Sequence, residues 1–220
     1  MSIRLAIFDC DGTLMDSQAN IVAAMDACFD MNRLPPPAAN ATRRIVGLSL
    51  PEAMAQLVPE AEAALHDKMA EDYKTCFKRM RAEAALAHEP LYEGVLETLV
   101  RLEEAGWLLG IATGKSDRGL ELALDYHGLG GRFMTLQTAD RHPSKPHPAM
   151  VLQALRDAGA EAEGALMIGD TIFDMAMGQN AGVRSLGVAW GYHAPEELTE
   201  AGAVAVLDDY SALGDYILTS

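Results

Sequence analysis

Four short stretches of the chain are almost continuously apolar: Ile3 to Phe8, Leu108 to Thr113, Ala165 to Ile168 and Arg184 to Ala189. Apolar runs of this length, closed by turn residues, predict strands buried on both faces rather than strands with one wet side. Between them lie stretches of helical length, Val95 to Ala105, Arg118 to Tyr126, Pro148 to Ala158 and Asp170 to Ala181, with glycine close behind several of them as a stop signal. Strands alternating with helices predict an α/β fold with a parallel sheet covered on both faces. Ligands of such sheets bind at the carboxyl ends of the strands.

Residues 16–86 break that rhythm. They are rich in Ala, Met, Glu and Lys at helical spacing, carry the punctuation Pro35-Pro36-Pro37 and show no clear strand. The pattern predicts a small helical domain over 16–86, inserted into a core made of 1–15 and 87–220. Ala87 to Glu93, with Pro90, reads as the return hinge. A length of 220 residues suits one main domain with such an insert.

Formal net charge is -15, and the acidic pairs are spread along the chain rather than gathered in a tail. Such a surface repels nucleic acid and anionic lipid, so neither is an expected partner. An anionic substrate then needs a local positive site, built by a metal ion and a few basic side chains. Three cysteines, odd in number and without a CxxC pair, predict reduced thiols. The first residues lack the long apolar run of a signal peptide, and no stretch approaches the roughly 18 apolar residues of a membrane span. A cytoplasmic protein is expected.

The ends of the predicted strands carry the chemistry. Asp9 and Asp11 follow the first, Thr113 ends the second, Asp170 follows the strand at Ala165, and Lys145 lies in a Ser-Lys-Pro loop. In a parallel sheet these side chains converge on one rim. Carboxylates gathered there repel by about 4 kcal/mol per pair at about 4 Å with an effective dielectric near 20. A hard cation with oxygen ligands relieves this, and magnesium fits the donor set. Lys145 and the Thr113 hydroxyl suit the oxygens of a phosphate. Two acids one residue apart on a tight turn face one ligand in different environments, which allows one to be a nucleophile and the other a general acid and base. Gly12 allows close backbone approach or a sharp turn. Asp170 and Asp174, four apart at a helix start, present to the same side, the first as a metal ligand and the second in support.

The run Asp9-Cys10-Asp11-Gly12-Thr13-Leu14, followed by Thr113-Gly114-Lys115, Lys145-Pro146 and Gly169-Asp170-Thr171-Ile172-Phe173-Asp174, resembles the four ordered motifs of the haloacid dehalogenase superfamily. It is similar to the branch that holds phosphoglycolate phosphatase and β-phosphoglucomutase. The resemblance implies a Rossmann-like core, an aspartyl-phosphate formed on Asp9, and Asp11 as the acid that protonates the leaving group and then activates water. It implies phosphate binding by Thr113, Gly114 and Lys145. Magnesium would be held by Asp9, Asp170 and the backbone carbonyl of Asp11, with Asp174 supporting, and the insert would be a cap that closes over the site. The implied substrate is a small phosphorylated metabolite; a monomer or a homodimer is expected.

In the insert, Arg43-Arg44-Ile45-Val46-Gly47-Leu48-Ser49 resembles the loop that faces the site in relatives, so Arg43 or Arg44 is expected to meet a second anionic group. Lys115 reads as solvated, and Cys10 as packing, because no Arg or His stands near it to lower its pKa. His142 and His147 flank Lys145 without a metal-binding spacing. Dehalogenation is disfavoured by the presence of Asp11. A phosphomutase shares the same motifs, and a non-hydrolytic phospho-accepting module is the reading outside enzymes.

Overall fold

In the computed structural model, residues 3–219 are described. Six strands form one sheet in the order β3-β2-β1-β4-β5-β6, and every neighbouring pair is parallel. They are β1 (Arg4–Phe8), β2 (Trp107–Thr113), β3 (Thr135–Thr138), β4 (Ala165–Gly169), β5 (Arg184–Val188) and β6 (Ala203–Leu207). The chain winds outward from β1 to β3, then returns to place β4 on the other side of β1. That reversal opens a crevice beyond the carboxyl ends of β1, β2 and β4, where a doubly wound sheet takes its ligand.

The central strand shows why the apolar runs are unbroken. Leu5, Ala6, Ile7 and Phe8 are all fully buried. Ala6 and Phe8 face one core with α5 (Val95–Glu104), α6 (Asp117–Tyr126) and α10 (Tyr210–Thr219). Leu5 and Ile7 face a second core with α7 (Ala149–Ala158) and Met177 of α8 (Ile172–Asn180). Successive side chains of a strand point to opposite faces, and here both faces are covered.

Two strands escape the sequence pattern. β3 contains the buried polar residues Thr135 and Gln137, which both donate to Asp157 at 2.7 Å. β6 is an edge strand of alanine and valine, mostly half-buried. The closing helices α9 (Pro195–Glu200) and α10 are also additions to the expected set. The helix expected over Asp170 to Ala181 starts later: Thr171 is its N-cap, so Asp170 precedes α8.

Between β1 and α5 the elements are helical: α1 (Gln18–Met31), α2 (Ala39–Arg44), α3 (Leu50–Leu57) and α4 (Ala63–Ala82). They hold a separate apolar cluster that includes Met25, Phe29, Met54, Met69 and Tyr73. The outgoing and returning backbones run side by side, with Asp16 N–H donating to Pro90 O at 2.9 Å and Tyr92 N–H to Leu14 O at 3.1 Å. Among the described residues no helix is long and apolar enough to cross a membrane.

Candidate active site

The site begins where β1 ends. Asp9 N–H donates to Ile168 O at 2.8 Å, continuing the pairing with β4 and fixing the backbone. One carboxylate oxygen, Oδ1, accepts from Cys10 N–H at 2.7 Å and from the Lys145 ammonium at 2.9 Å. The other, Oδ2, is buried with no hydrogen-bond partner. A buried carboxylate oxygen without a donor is costly unless a ligand meets it.

Asp170, just after β4, is held by both oxygens: Oδ1 accepts from Thr13 Oγ1 at 2.8 Å and Oδ2 from Tyr192 N–H at 2.9 Å. Asp174 accepts from Thr171 Oγ1 at 2.7 Å and from Thr171 N–H at 3.1 Å, the capping box of α8, and from Lys145 at 2.7 Å. Lys145 therefore bridges Asp9 and Asp174 from a fully buried position. Burial works against its charge, but Asp174 and Asp9 hold its pKa above the ordinary lysine value.

Carboxylate oxygens of Asp9, Asp170 and Asp174 all lie within 4.8 Å of one another. When all three are ionised, these carboxylates against the one ammonium of Lys145 leave two negative charges in a buried place. Burial first, then Asp174, push the Asp9 carboxyl up to about 7 against the pull of Lys145. Burial, Asp174 and Asp9 raise Asp170 well above the carboxylate range. The all-oxygen donor set and the crowding of negative charge together fit a hard divalent cation. Gly12, with φ 83°, leaves room here, since a Cβ on it would run into the Asp170 carboxylate and the Tyr192 ring.

Asp11 makes an ion pair with Lys115 at 2.6 Å. Lys115 also reaches Glu89 at 3.2 Å, and its side chain is only 12% exposed. The expectation of a solvated Lys115 is thus corrected: two acids distant in sequence draw it inward. Glu89, in the return hinge, is a residue that sequence reasoning missed. It also accepts from Asn20 at 3.3 Å, tying the hinge to α1.

Thr113 ends β2, and its hydroxyl accepts from Lys115 N–H at 3.2 Å. Gly114 stands against the inserted helices: a Cβ there would meet Gly47 O and Leu48 O at 2.9 Å. A cavity of about 400 Å³ opens above these residues, lined on the core side by Asp9, Asp11, Thr113, Gly114 and Lys115. Met25, Val46, Leu48 and Phe77 of the insert form much of its other wall.

Arg43 and Arg44 differ from expectation, because neither lines this cavity. Arg44 instead pairs with Glu197 of α9 at 2.6 Å. Nε of Arg43 is buried without a partner. His142 bonds Gln137 at 2.7 Å, and His147 is exposed and accepts from Ala149 N–H at 3.2 Å. Cys10 is fully buried and burial pushes its thiol pKa up, as suits a packing residue. His193 was not foreseen: Nδ1 accepts from Ile172 N–H at 3.3 Å, which leaves Nε2–H to donate to Arg44 O at 3.2 Å. Burial, and then the charge of Arg44, hold its pKa below the ordinary value.

The family pattern of haloacid dehalogenase-like hydrolases matches residues 6–188. This span runs from within β1 to the end of β5 and includes Asp9, Asp11, Asp170 and Asp174, and the chain belongs to that family. Within it the chain stands with the phosphatases. It is 34% identical over 212 residues to "Probable phosphatase IndB" of Dickeya dadantii, covering 94% of this chain and 90% of that one. It is 33% identical over 223 residues to phosphoglycolate phosphatase of Rhodospirillum rubrum, covering 97% and 90%. A hydrolase from Pseudomonas syringae has a similar fold, with a TM-score of 0.85 at 26% identity over 97% of both chains.

Proposed function

We propose that this chain hydrolyses a phosphate monoester of a small metabolite through a covalent phosphate on Asp9. The observation that carries the reading is the orphaned Oδ2 of Asp9, held at the cavity while Lys145 and the backbone occupy Oδ1. Its free lone pairs attack phosphorus, and the bond from phosphorus to the ester oxygen breaks. Asp11, lining the same cavity, gives its proton to the departing oxygen. The carboxylate so formed then takes a proton from water as that water attacks the aspartyl-phosphate. The acyl phosphate bond breaks at phosphorus, inorganic phosphate leaves, and Asp9 is regenerated with Asp11 protonated.

Thr113 and Gly114 face the cavity and offer a hydroxyl and a backbone N–H to the phosphoryl oxygens. Lys145 holds Asp9 in its attacking orientation and lowers the local negative charge. Mg2+ would be held by Asp9, Asp170 and the Asp11 carbonyl, with Asp174 locking Lys145 and Thr171 behind them, and it would offset the repulsion between a carboxylate and a phosphate. Residues 16–86 act as a cap whose closure excludes water from the first step. The three free cysteines support a reducing, cytoplasmic location. The phosphoglycolate phosphatase of Rhodospirillum rubrum supports a small phosphate ester as substrate.

The test is phosphate release from phosphoglycolate, sugar phosphates and aryl or benzyl phosphates, with and without Mg2+, for the wild type and Asp9→Asn. Release that needs both Mg2+ and Asp9 is expected. Equal release by the two proteins would refute the covalent role of Asp9. Phosphate returned to a sugar rather than to water would point to a mutase.

A further inference from the structure

The cap and core meet on several sides of the cavity. Ser49 N–H donates to Ser144 Oγ at 2.8 Å, Arg44 pairs with Glu197 at 2.6 Å, and the backbone at Gly47 and Leu48 presses on Gly114. The space left between them measures about 400 Å³. That lies within the roughly 300 to 1,000 Å³ of pockets that enclose drug-sized ligands. A two-carbon phosphate ester would leave much of it unfilled.

The walls specify what fills the rest. Beyond the phosphate end they are apolar, with Ile21, Met25, Val46, Leu50 and Phe77 of the cap facing Leu122 of the core. A sugar would set its hydroxyls against these walls without partners, which is unfavourable. Apart from the strand-end residues, the charged lining is mainly basic: Lys74, Lys78 and Arg81 of α4 and Arg118 in the first turn of α6. Spacings of four and three place the α4 cations along one helical face. Two acids also line the cavity, Glu71 and Asp140. Glu71 is occupied by Lys74 at 2.7 Å, and Asp140 accepts from Asp117 N–H at 2.9 Å. Arg81 stacks over the Phe77 ring at 5.3 Å. Among the described residues Lys78 and Arg118 have neither an ion pair nor a hydrogen-bonded acid. Four cations against two acids leave this rim positive, in a chain whose net charge is -15.

We propose that the substrate is a phosphate monoester whose leaving group has a ring-sized apolar body and a second anionic group at its far end, read by Lys78 and Arg118. The proposal rests on the hydrolytic reading above and narrows it. The body lies along Met25, Leu50 and Phe77, and the distal anion ends between α4 and α6. Neither phosphoglycolate, which lacks the body, nor a neutral sugar phosphate, which lacks the distal charge, satisfies both walls.

Three esters of alcohols separate the contributions: phosphoglycolate, benzyl phosphate and 4-carboxybenzyl phosphate, assayed with Mg2+. The expected order of kcat/KM places 4-carboxybenzyl phosphate about 10-fold or more above each of the others, the gain of one added contact of roughly 1.4 kcal/mol. In the double variant Lys78→Ala and Arg118→Ala, its kcat/KM falls about 10-fold, mainly through KM, and benzyl phosphate changes less than about 2-fold. Phosphoglycolate as the best of the three, no gain from the carboxyl group, or an equal loss for all esters in the variant would overturn the proposal. If the wild type hydrolyses none of them above Asp9→Asn, the hydrolytic reading itself fails. Calorimetry with 4-carboxybenzylphosphonate and methylphosphonate then decides the pocket: tighter binding of the first by about 10-fold upholds the recognition, and equal binding ends it.

Discussion

At the scale of single residues, the site depends on which oxygens are occupied. Asp9 and Asp11 are two residues apart, yet one meets Lys145 and the other meets Lys115. Asp11→Asn keeps the shape of the acid but removes its transferable proton. We expect kcat to fall by about 10² to 10⁴ with little change in KM, measured as steady-state phosphate release. Gly12→Ala is expected to fail differently. It forces an L side chain to φ 83°, which costs about 1 to 2 kcal/mol, and it drives a methyl group into the Asp170 carboxylate. Thermal unfolding should show a lower Tm, and calorimetry a weaker response to Mg2+.

The buried acids also set a pH dependence. Asp9 titrates near 3.8 when unfolded and about 7 in the metal-free fold. Between those values the folded chain keeps a proton that the unfolded chain has released, so metal-free stability falls as pH rises through that window. Asp170 is shifted in the same direction. Mg2+ binds the ionised carboxylates of the folded chain and opposes the loss. The expected outcome is a larger rise in Tm on adding Mg2+ at pH 8 than at pH 5, against a chelator control. Asp170→Asn should remove most of that difference, and an equal rise at both pH values would contradict the assignment.

At the scale of elements, polar contacts join the inserted helices to the core. Arg44 joins the end of α2 to α9 through Glu197, and His193 receives the same region of α2 through Arg44 O. Arg44, together with the Ala194 N–H, holds the Glu197 carboxyl down at about 2. A lowered acid contributes stability above its unfolded value of 4.5 and loses it as pH falls from there toward 2. Both side chains are more than a third exposed, so the pair is worth less than about 1 kcal/mol. Glu197→Gln should therefore raise KM by up to about 5-fold with a small change in Tm, and added salt should shrink its difference from wild type. A loss of all activity would instead mean that the pair shapes the site directly. The connecting backbones 14–16 and 90–92 are paired to each other. Motion of the insert would thus bend two short adjoining segments.

At the scale of the whole molecule, the sheet core was legible because its strands are buried on both faces and leave unbroken apolar runs, as in Leu5 to Phe8. β3 was not, because Thr135 and Gln137 are buried by bonding Asp157 rather than by being apolar. β6 lies at the sheet edge, where Ala203 to Leu207 carry only a partial burial signal. The motif acids could be named from sequence because each follows or ends a strand, and a parallel sheet sends those ends to one rim. The places of Lys115 and Arg44 could not, since a lone lysine in a loop reads as solvated and Arg44 reads as a substrate contact until their partners are known. Those partners, Asp11 and Glu89 for the first and Glu197 for the second, arrive only through folding.

The sequence by itself determined the α/β class, the helical character of the insert and which acids stand at strand ends, because periodicity and strand-end position are local properties of the chain. Tertiary structure alone decided which oxygen of Asp9 stays free, which lysine bridges which pair of acids, and which cations line the cavity. Those outcomes depend on distances between residues far apart in sequence. Burial then makes each of those distances matter, since a charge removed from water must find its partner within a few ångströms.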